Sequence, residues 1–198
     1  MKTLIRKLAV IAASFTASAA MATVIDFESP DAGGLHEWST VLSPTQGFDF
    51  GQGAFMEIFD TAEGPWTTLG APHSGHFVVA NIGGGSMVMK PVGGGTFTLN
   101  DLWIRNWSPN DDGFPGSGIA GYRNGVAVGV VQFRITAGWE QIVTNFADVD
   151  MVILAPAAGQ AFQLDDVTVN APVPEPTSVV LMGAGLLGLA AVRRARKR

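Results

Sequence analysis

Ile119-Ala120-Gly121-Tyr122-Arg123-Asn124-Gly125-Val126-Ala127-Val128-Gly129-Val130-Val131-Gln132-Phe133-Arg134-Ile135 decides the fold. Asn124-Gly125 stands between two apolar runs, and both residues tolerate the positive φ that a tight two-residue hairpin turn demands. The second run, 126–135, is rich in β-branched residues, which pack well on a pleated surface. Outward from this hairpin, the strand pattern persists. Thr96-Phe97-Thr98-Leu99-Asn100-Asp101-Leu102-Trp103-Ile104 places Phe97 and Leu99 on one face, and residues 151–154 form another short apolar run. Gln163-Leu164-Asp165-Asp166-Val167-Thr168-Val169 alternates at its end. Two triple-glycine clusters, Gly83 to Gly85 and Gly93 to Gly95, flank Ser86-Met87-Val88-Met89-Lys90. A phosphate-cradling loop would need a following helix and a lysine in register, so these glycines read as turns around a short strand. Residues 23–170 hold no sustained 3.6-residue apolar period. Roughly nine or ten short strands at such spacing predict an all-β sandwich.

The two ends carry different signals. Lys2, Arg6 and Lys7 precede an apolar stretch over 8–20, and Ala20-Met21-Ala22 offers a small-x-small cleavage site. Residues 1–22 therefore read as a secretory signal peptide, with Thr23 as the mature start; an uncleaved anchor is the alternative. At the other end a Pro-rich linker over 171–177 contains Pro174-Glu175-Pro176. An uncharged run over 178–192 follows, then a basic tail over 193–198. Its fifteen residues span roughly 22 Å as a helix, against about 30 Å of bilayer hydrocarbon. Arg193, Arg194, Arg196, Lys197 and Arg198 extend the reach by snorkelling and hold the tail on the cytoplasmic side. A transmembrane helix over 178–192 is the expectation, with the domain over 23–170 facing away from the cytoplasm.

This three-part end closely resembles the PEP-CTERM sorting signal of bacterial envelope proteins. The resemblance implies an exosortase partner that recognises Pro174, Glu175 and Pro176, removes the tail, and releases or transfers the protein. The two prolines keep the motif extended and accessible. An ordinary spacer before a permanent anchor is the other reading.

Residues 23–170 hold four basic and sixteen acidic residues, a net charge of −12 against −5 for the whole chain. Such a surface repels phosphate backbones, so no nucleic-acid partner is expected. There is no cysteine, hence no disulfide, thiolate nucleophile or zinc–sulfur site.

Candidate chemistry is sparse. His73-Ser74-Gly75-His76 brings two histidines close in sequence, but Gly75 marks a turn and no third metal ligand is evident nearby. The loop Trp107-Ser108-Pro109-Asn110-Asp111-Asp112-Gly113-Phe114 sets aromatic rings beside paired carboxylates. It reads either as a solvated Asx-turn loop or as a glycan contact through Trp107, Asp111 and Asp112. Trp103 reads as core, while Trp38, Trp66, Trp107 and Trp139 lie near turn formers or acidic residues.

Asp26-Phe27-Glu28, Gly121-Tyr122-Arg123-Asn124-Gly125 and Phe162-Gln163-Leu164-Asp165-Asp166-Val167-Thr168-Val169 resemble the jelly-roll-like ectodomains of PEP-CTERM proteins and the end strands of carbohydrate-binding β-sandwich modules. The resemblance implies first and last strands side by side, and a structural calcium ion held by an acidic residue from each: Glu28 and Asp165. The alternative is that Asp165 and Asp166 point to opposite faces, one solvated and one capping a backbone donor. The function expected is that of a non-enzymatic surface or extracellular-matrix protein, transiently anchored in the membrane. The alternative is a carbohydrate-binding module acting on extracellular polysaccharide; a glycan hydrolase is a third, weaker reading.

Overall fold

The computed structural model describes residues 22–28, 39–41, 44–51 and 56–170. The expected signal peptide apart from Ala22, the Pro-rich linker, the membrane helix and the basic tail lie outside the described residues, as does Trp38. Among the described residues, no helix is long and apolar enough to cross a membrane.

Twelve strands are described: β1 Thr23–Ile25, β2 Ser39–Val41, β3 Phe48–Asp49, β4 Met56–Asp60, β5 Phe77–Asn81, β6 Met87–Pro91, β7 Phe97–Asn106, β8 Pro115–Arg123, β9 Val126–Arg134, β10 Glu140–Val149, β11 Met151–Ala155 and β12 Phe162–Val169. The count exceeds the nine or ten expected because β1, β2 and β3 span only two or three residues each, too short to leave an alternating pattern. Two antiparallel sheets result. One runs β10-β7-β12-β5-β4-β2, with β1 also paired to β12; the other runs β3-β6-β11-β8-β9. The chain is an all-β sandwich.

The hairpin that set the fold closes as its sequence requires. Arg123 pairs with Val126, and Asn124 and Gly125 take φ of 50° and 77°. These two positive angles match a type I′ turn, whose twist suits the flanking strands. The triple-glycine clusters bracket β6 with turns. β1 pairs with β12, Ile25 opposite Val167, so the first and last described strands do lie side by side.

Between the sheets lies one apolar core, built from inward-facing residues of both: Leu99, Leu102 and Ile104 of β7, Leu164 and Val167 of β12, Met87 and Met89 of β6, and Val152 and Leu154 of β11. Phe146 of β10 packs where β8 and β9 carry glycine. A Cβ added at Gly121 would come within 2.8 Å of the Phe146 ring, and one at Gly129 within 2.6 Å. Neither glycine has positive φ, so the constraint is steric alone. Gly129→Ala is expected to destabilise the fold by about 1–3 kcal/mol, the usual cost of overpacking a core. Urea denaturation measures it, and an unchanged midpoint would mean that Phe146 does not seat there.

Candidate functional site

Residues 61–76 join β4 to β5, two strands paired along their length. Sixteen residues are far more than a hairpin needs, and loops of this length usually carry function. Its ends meet, because the Thr61 and Ala62 amides both donate to the His76 carbonyl, at 3.0 and 3.3 Å. The segment therefore forms a closed strap, and it folds back over the outer face of its own sheet.

That outer face explains the fold-back. Glu57 stands opposite Ala80, Ala80 opposite Gln163, and Gln163 opposite Arg105, one row across four strands. The next row holds Phe59 opposite Val78, and Asp165 opposite Trp103. Polar residues on an outer face would ordinarily meet water. Here Arg105, Gln163 and Asp165 are buried, since the strap covers them and uses their hydrogen bonds. Arg105 donates through Nη2 to the carbonyls of Leu69 (2.6 Å) and Gly70 (2.9 Å), and through Nε to Gln163 Oε1 (3.0 Å). Gln163 Nε2 donates to the carbonyls of Leu69 and Trp107. Asp165 Oδ2 accepts from the amides of His73 (3.0 Å) and Ser74 (3.1 Å). The Arg105 guanidinium sits 4.6 Å from the Trp139 ring centre, and Trp139 Nε1 donates to the Ala71 carbonyl.

Electrostatics follow from burial. Loss of hydration pushes the Asp165 carboxyl up to about 7, against the pull of its amide donors. Arg105 is lowered by its own burial, opposed by the Asp165 carboxylate. Asp166 lies at a bulge with φ of 43°, where the pairing with β7 shifts register. That kink defeats strand alternation, so Asp165 and Asp166 reach the same segment instead of opposite faces. Asp166 takes His73 Nδ1 at 2.6 Å and the Ser74 hydroxyl at 2.9 Å. The His73 ring stacks on Trp103, centres 3.8 Å apart. Trp103 is thus a half-buried outer-face residue rather than core, a correction whose physical cause is the strap that covers it.

Glu28 and Asp165, the two residues expected to share a calcium ion, each accept hydrogen bonds from backbone amides of the strap and its exit. Glu28 Oε1 accepts from the amides of His76 (2.8 Å) and Phe77 (2.7 Å), while Asp165 holds the amides of His73 and Ser74. The two carboxylates fasten successive parts of one segment. Gly75 lies between them in the strap at φ of 55°, where a Cβ would strike the Glu28 carboxylate. Among the described residues, no group of three or more His, Cys, Asp or Glu side chains is placed to hold a metal ion.

Where the strap meets the far end of the sheet, a groove of about 260 Å³ opens. Its lining is Glu57, Phe59, Trp66, Ile82, Trp107 and Ala161. Strand register brings these together, for the start of β4, the end of β5, the start of β12 and the end of β7 all lie at one end of the sheet. Phe59 packs edge-on against Trp66 and Trp107, with ring centres 5.1 and 5.3 Å away. Trp66 Nε1 is buried and has no hydrogen-bond partner among the described residues.

Of the residues singled out for glycan contact, Trp107 lines this groove and the two aspartates do not. Asp111 and Asp112 are exposed. Asp111 Oδ1 accepts from the Gly113 amide (2.9 Å), an Asx turn, and Asp112 Oδ1 from the Ala137 amide (3.3 Å). Sequence reasoning missed Glu57, Phe59 and Ile82 altogether. The available signal was the length of the β4–β5 connection, with Trp66 inside it.

The fold and its groove define the class: a β-sandwich whose larger sheet carries an aromatic groove on an outer face covered in part by a strap. The C terminus is more specific. The family model described as the PEP-CTERM protein-sorting motif matches residues 172–197, so the chain carries that motif and is an exported protein sorted to the cell envelope. A comparison with curated proteins finds no match. Among solved structures, a family 29 carbohydrate-binding module from Piromyces equi is 11% identical, with 80% of this chain and 95% of that one covered and a TM-score of 0.41. The N-terminal CBM22-1–CBM22-2 tandem of Paenibacillus barcinonensis Xyn10C is 13% identical over 82% of this chain and 48% of that one, TM-score 0.45. A family 61 carbohydrate-binding module in complex with β-1,4-galactotriose is 13% identical over 74% of this chain and 96% of that one, TM-score 0.35. All three likenesses are remote.

Proposed function

We propose that this chain is a non-enzymatic surface or extracellular-matrix protein, exported, anchored transiently in the membrane, and processed at its C terminus by an exosortase. The sorting motif over 172–197 is the observation that carries the reading. Pro174, Glu175 and Pro176 are the recognition element, and Arg193, Arg194, Arg196, Lys197 and Arg198 stop transfer until cleavage. In a host with the matching exosortase, Glu175→Ala is expected to leave unprocessed protein in the membrane fraction. Normal processing and release of that variant would refute the motif's role.

A second reading, a carbohydrate-binding module acting on extracellular polysaccharide, is favoured by the groove itself. Indole rings offer an apolar face to the C–H side of a sugar, and a carboxylate accepts from its hydroxyls. Trp107 supplies the former and Glu57 the latter. Asp111 and Asp112, on the loop that follows Trp107, would act from outside the groove. Pull-down of the full chain by purified polysaccharide, with turnover of labelled polysaccharide measured alongside, separates a binder from a purely structural component and from a hydrolase.

A further inference from the structure

We infer that the groove between Trp66 and Trp107 takes a single sugar ring of a neutral polysaccharide and discriminates against uronic acids. The inference rests on the carbohydrate-binding reading and narrows its ligand to one chemical class. Size sets the first limit. About 260 Å³ lies just below the range of small-molecule pockets, roughly 300–1,000 Å³, so the groove admits one ring and not a run of them.

A polar group sets the second. Glu57, when ionised, is an acceptor only, so it suits a hydroxyl that donates and repels a second carboxylate.

Charge sets the third. A uronate needs a cation, and no Lys or Arg is among the described residues that line the groove. The four cations of residues 23–170 are placed elsewhere. Arg105 lies beneath the strap, donating to Leu69, Gly70 and Gln163. Arg134 donates to the carbonyls of Asp112 and Gly113. Arg123 stands 3.5 Å from Asp148 at the far hairpin, and Lys90 is on β6 of the opposite sheet. The net charge of −12 over the domain adds to the same bias.

The test is affinity electrophoresis and tryptophan fluorescence on the full chain in detergent. The probes are galactan, xylan and cello-oligosaccharides on one side, polygalacturonate and alginate on the other. At least one neutral glycan is expected to bind, quench indole emission, and hold at least roughly tenfold more tightly than either uronate polymer, the scale of one like-charge contact near a protein surface. Glu57→Gln is expected to strengthen uronate binding by about tenfold, narrowing that gap. Trp107→Ala is expected to abolish binding, with Trp107→Phe, which keeps a ring against Phe59, as the second variant should the first fail to fold. Uronate polymers binding as tightly as neutral ones would overturn the charge selection and leave the carbohydrate reading standing. Glycan binding unaffected by both Trp107 variants would remove the groove as the site. Binding to no probe would defeat the carbohydrate reading and this inference with it.

Discussion

Replacing Arg105 with Met is expected to destabilise the domain by about 3–5 kcal/mol, the range for removing one member of a buried charged network. Methionine fills similar space but donates nothing. Two acceptors then lose their donor beneath the strap, the Gly70 carbonyl and Gln163 Oε1, while the Leu69 carbonyl keeps only the Gln163 amide. Each buried acceptor left unmatched costs about 1–3 kcal/mol. The cation over the Trp139 ring is lost as well. Urea denaturation of the full chain checks the magnitude, and limited proteolysis checks the place, since cleavage within 61–76 should accelerate. A loss below about 1 kcal/mol, with the strap no more cleavable than before, would show that the sheet does not hold the strap through this residue.

The second large effect is a dependence on pH through Asp165. This carboxyl is 0% exposed and titrates near 7 in the folded chain, against an ordinary value of 3.8. Raising a carboxyl's pKa means that the fold prefers its neutral form. The stability contributed is therefore fully present below pH 3.8 and is lost as pH rises towards 7. A shift of that size corresponds to something on the order of 4 kcal/mol over the full window, and to roughly 3 kcal/mol between pH 5 and pH 8. The groups facing Asp165 are Arg105 on β7, Asp166 on β12 and the strap residues His73 and Ser74. Asp165→Asn removes this ionisation while keeping the side chain's shape. Relative to the parent chain, the variant is expected to gain stability between pH 5 and pH 8 by that amount. Parallel stability curves for the two chains would contradict a neutral, buried Asp165.

The hairpin at 119–135 was legible because its determinant is local. Asn124 and Gly125 accept positive φ whatever lies around them, and the β-branched residues of β9 follow at once. β7, β11 and β12 were legible for the same reason, as runs whose alternation survives in a single sequence. The outer face of the larger sheet was not. Alternation places Trp103, Arg105, Gln163 and Asp165 on the side away from the core, but it cannot say whether water or protein covers that side. The covering strap is remote in sequence, reaching Asp165 from positions 73 and 74. Trp103 was misassigned to the core on that account. Asp166 shows a different limit. Its positive φ at a non-glycine position carries no mark in the sequence, and a single bulge reverses the face of the residues around it. Trp107 was picked out because aromatic rings beside turn formers are visible in any sequence. Glu57 and Phe59 were not, since only strand register brings them beside it.

Export with exosortase processing is the central claim, and the intact mass of the protein recovered outside exosortase-competent cells tests it most directly. The mass should correspond to a chain that begins at Thr23, ends close to Pro174-Glu175-Pro176 and lacks residues 178–198, while an exosortase-deficient strain keeps those residues in its membrane fraction. Protein that retains 178–198 in both strains, or that reaches the medium equally from both, would contradict it.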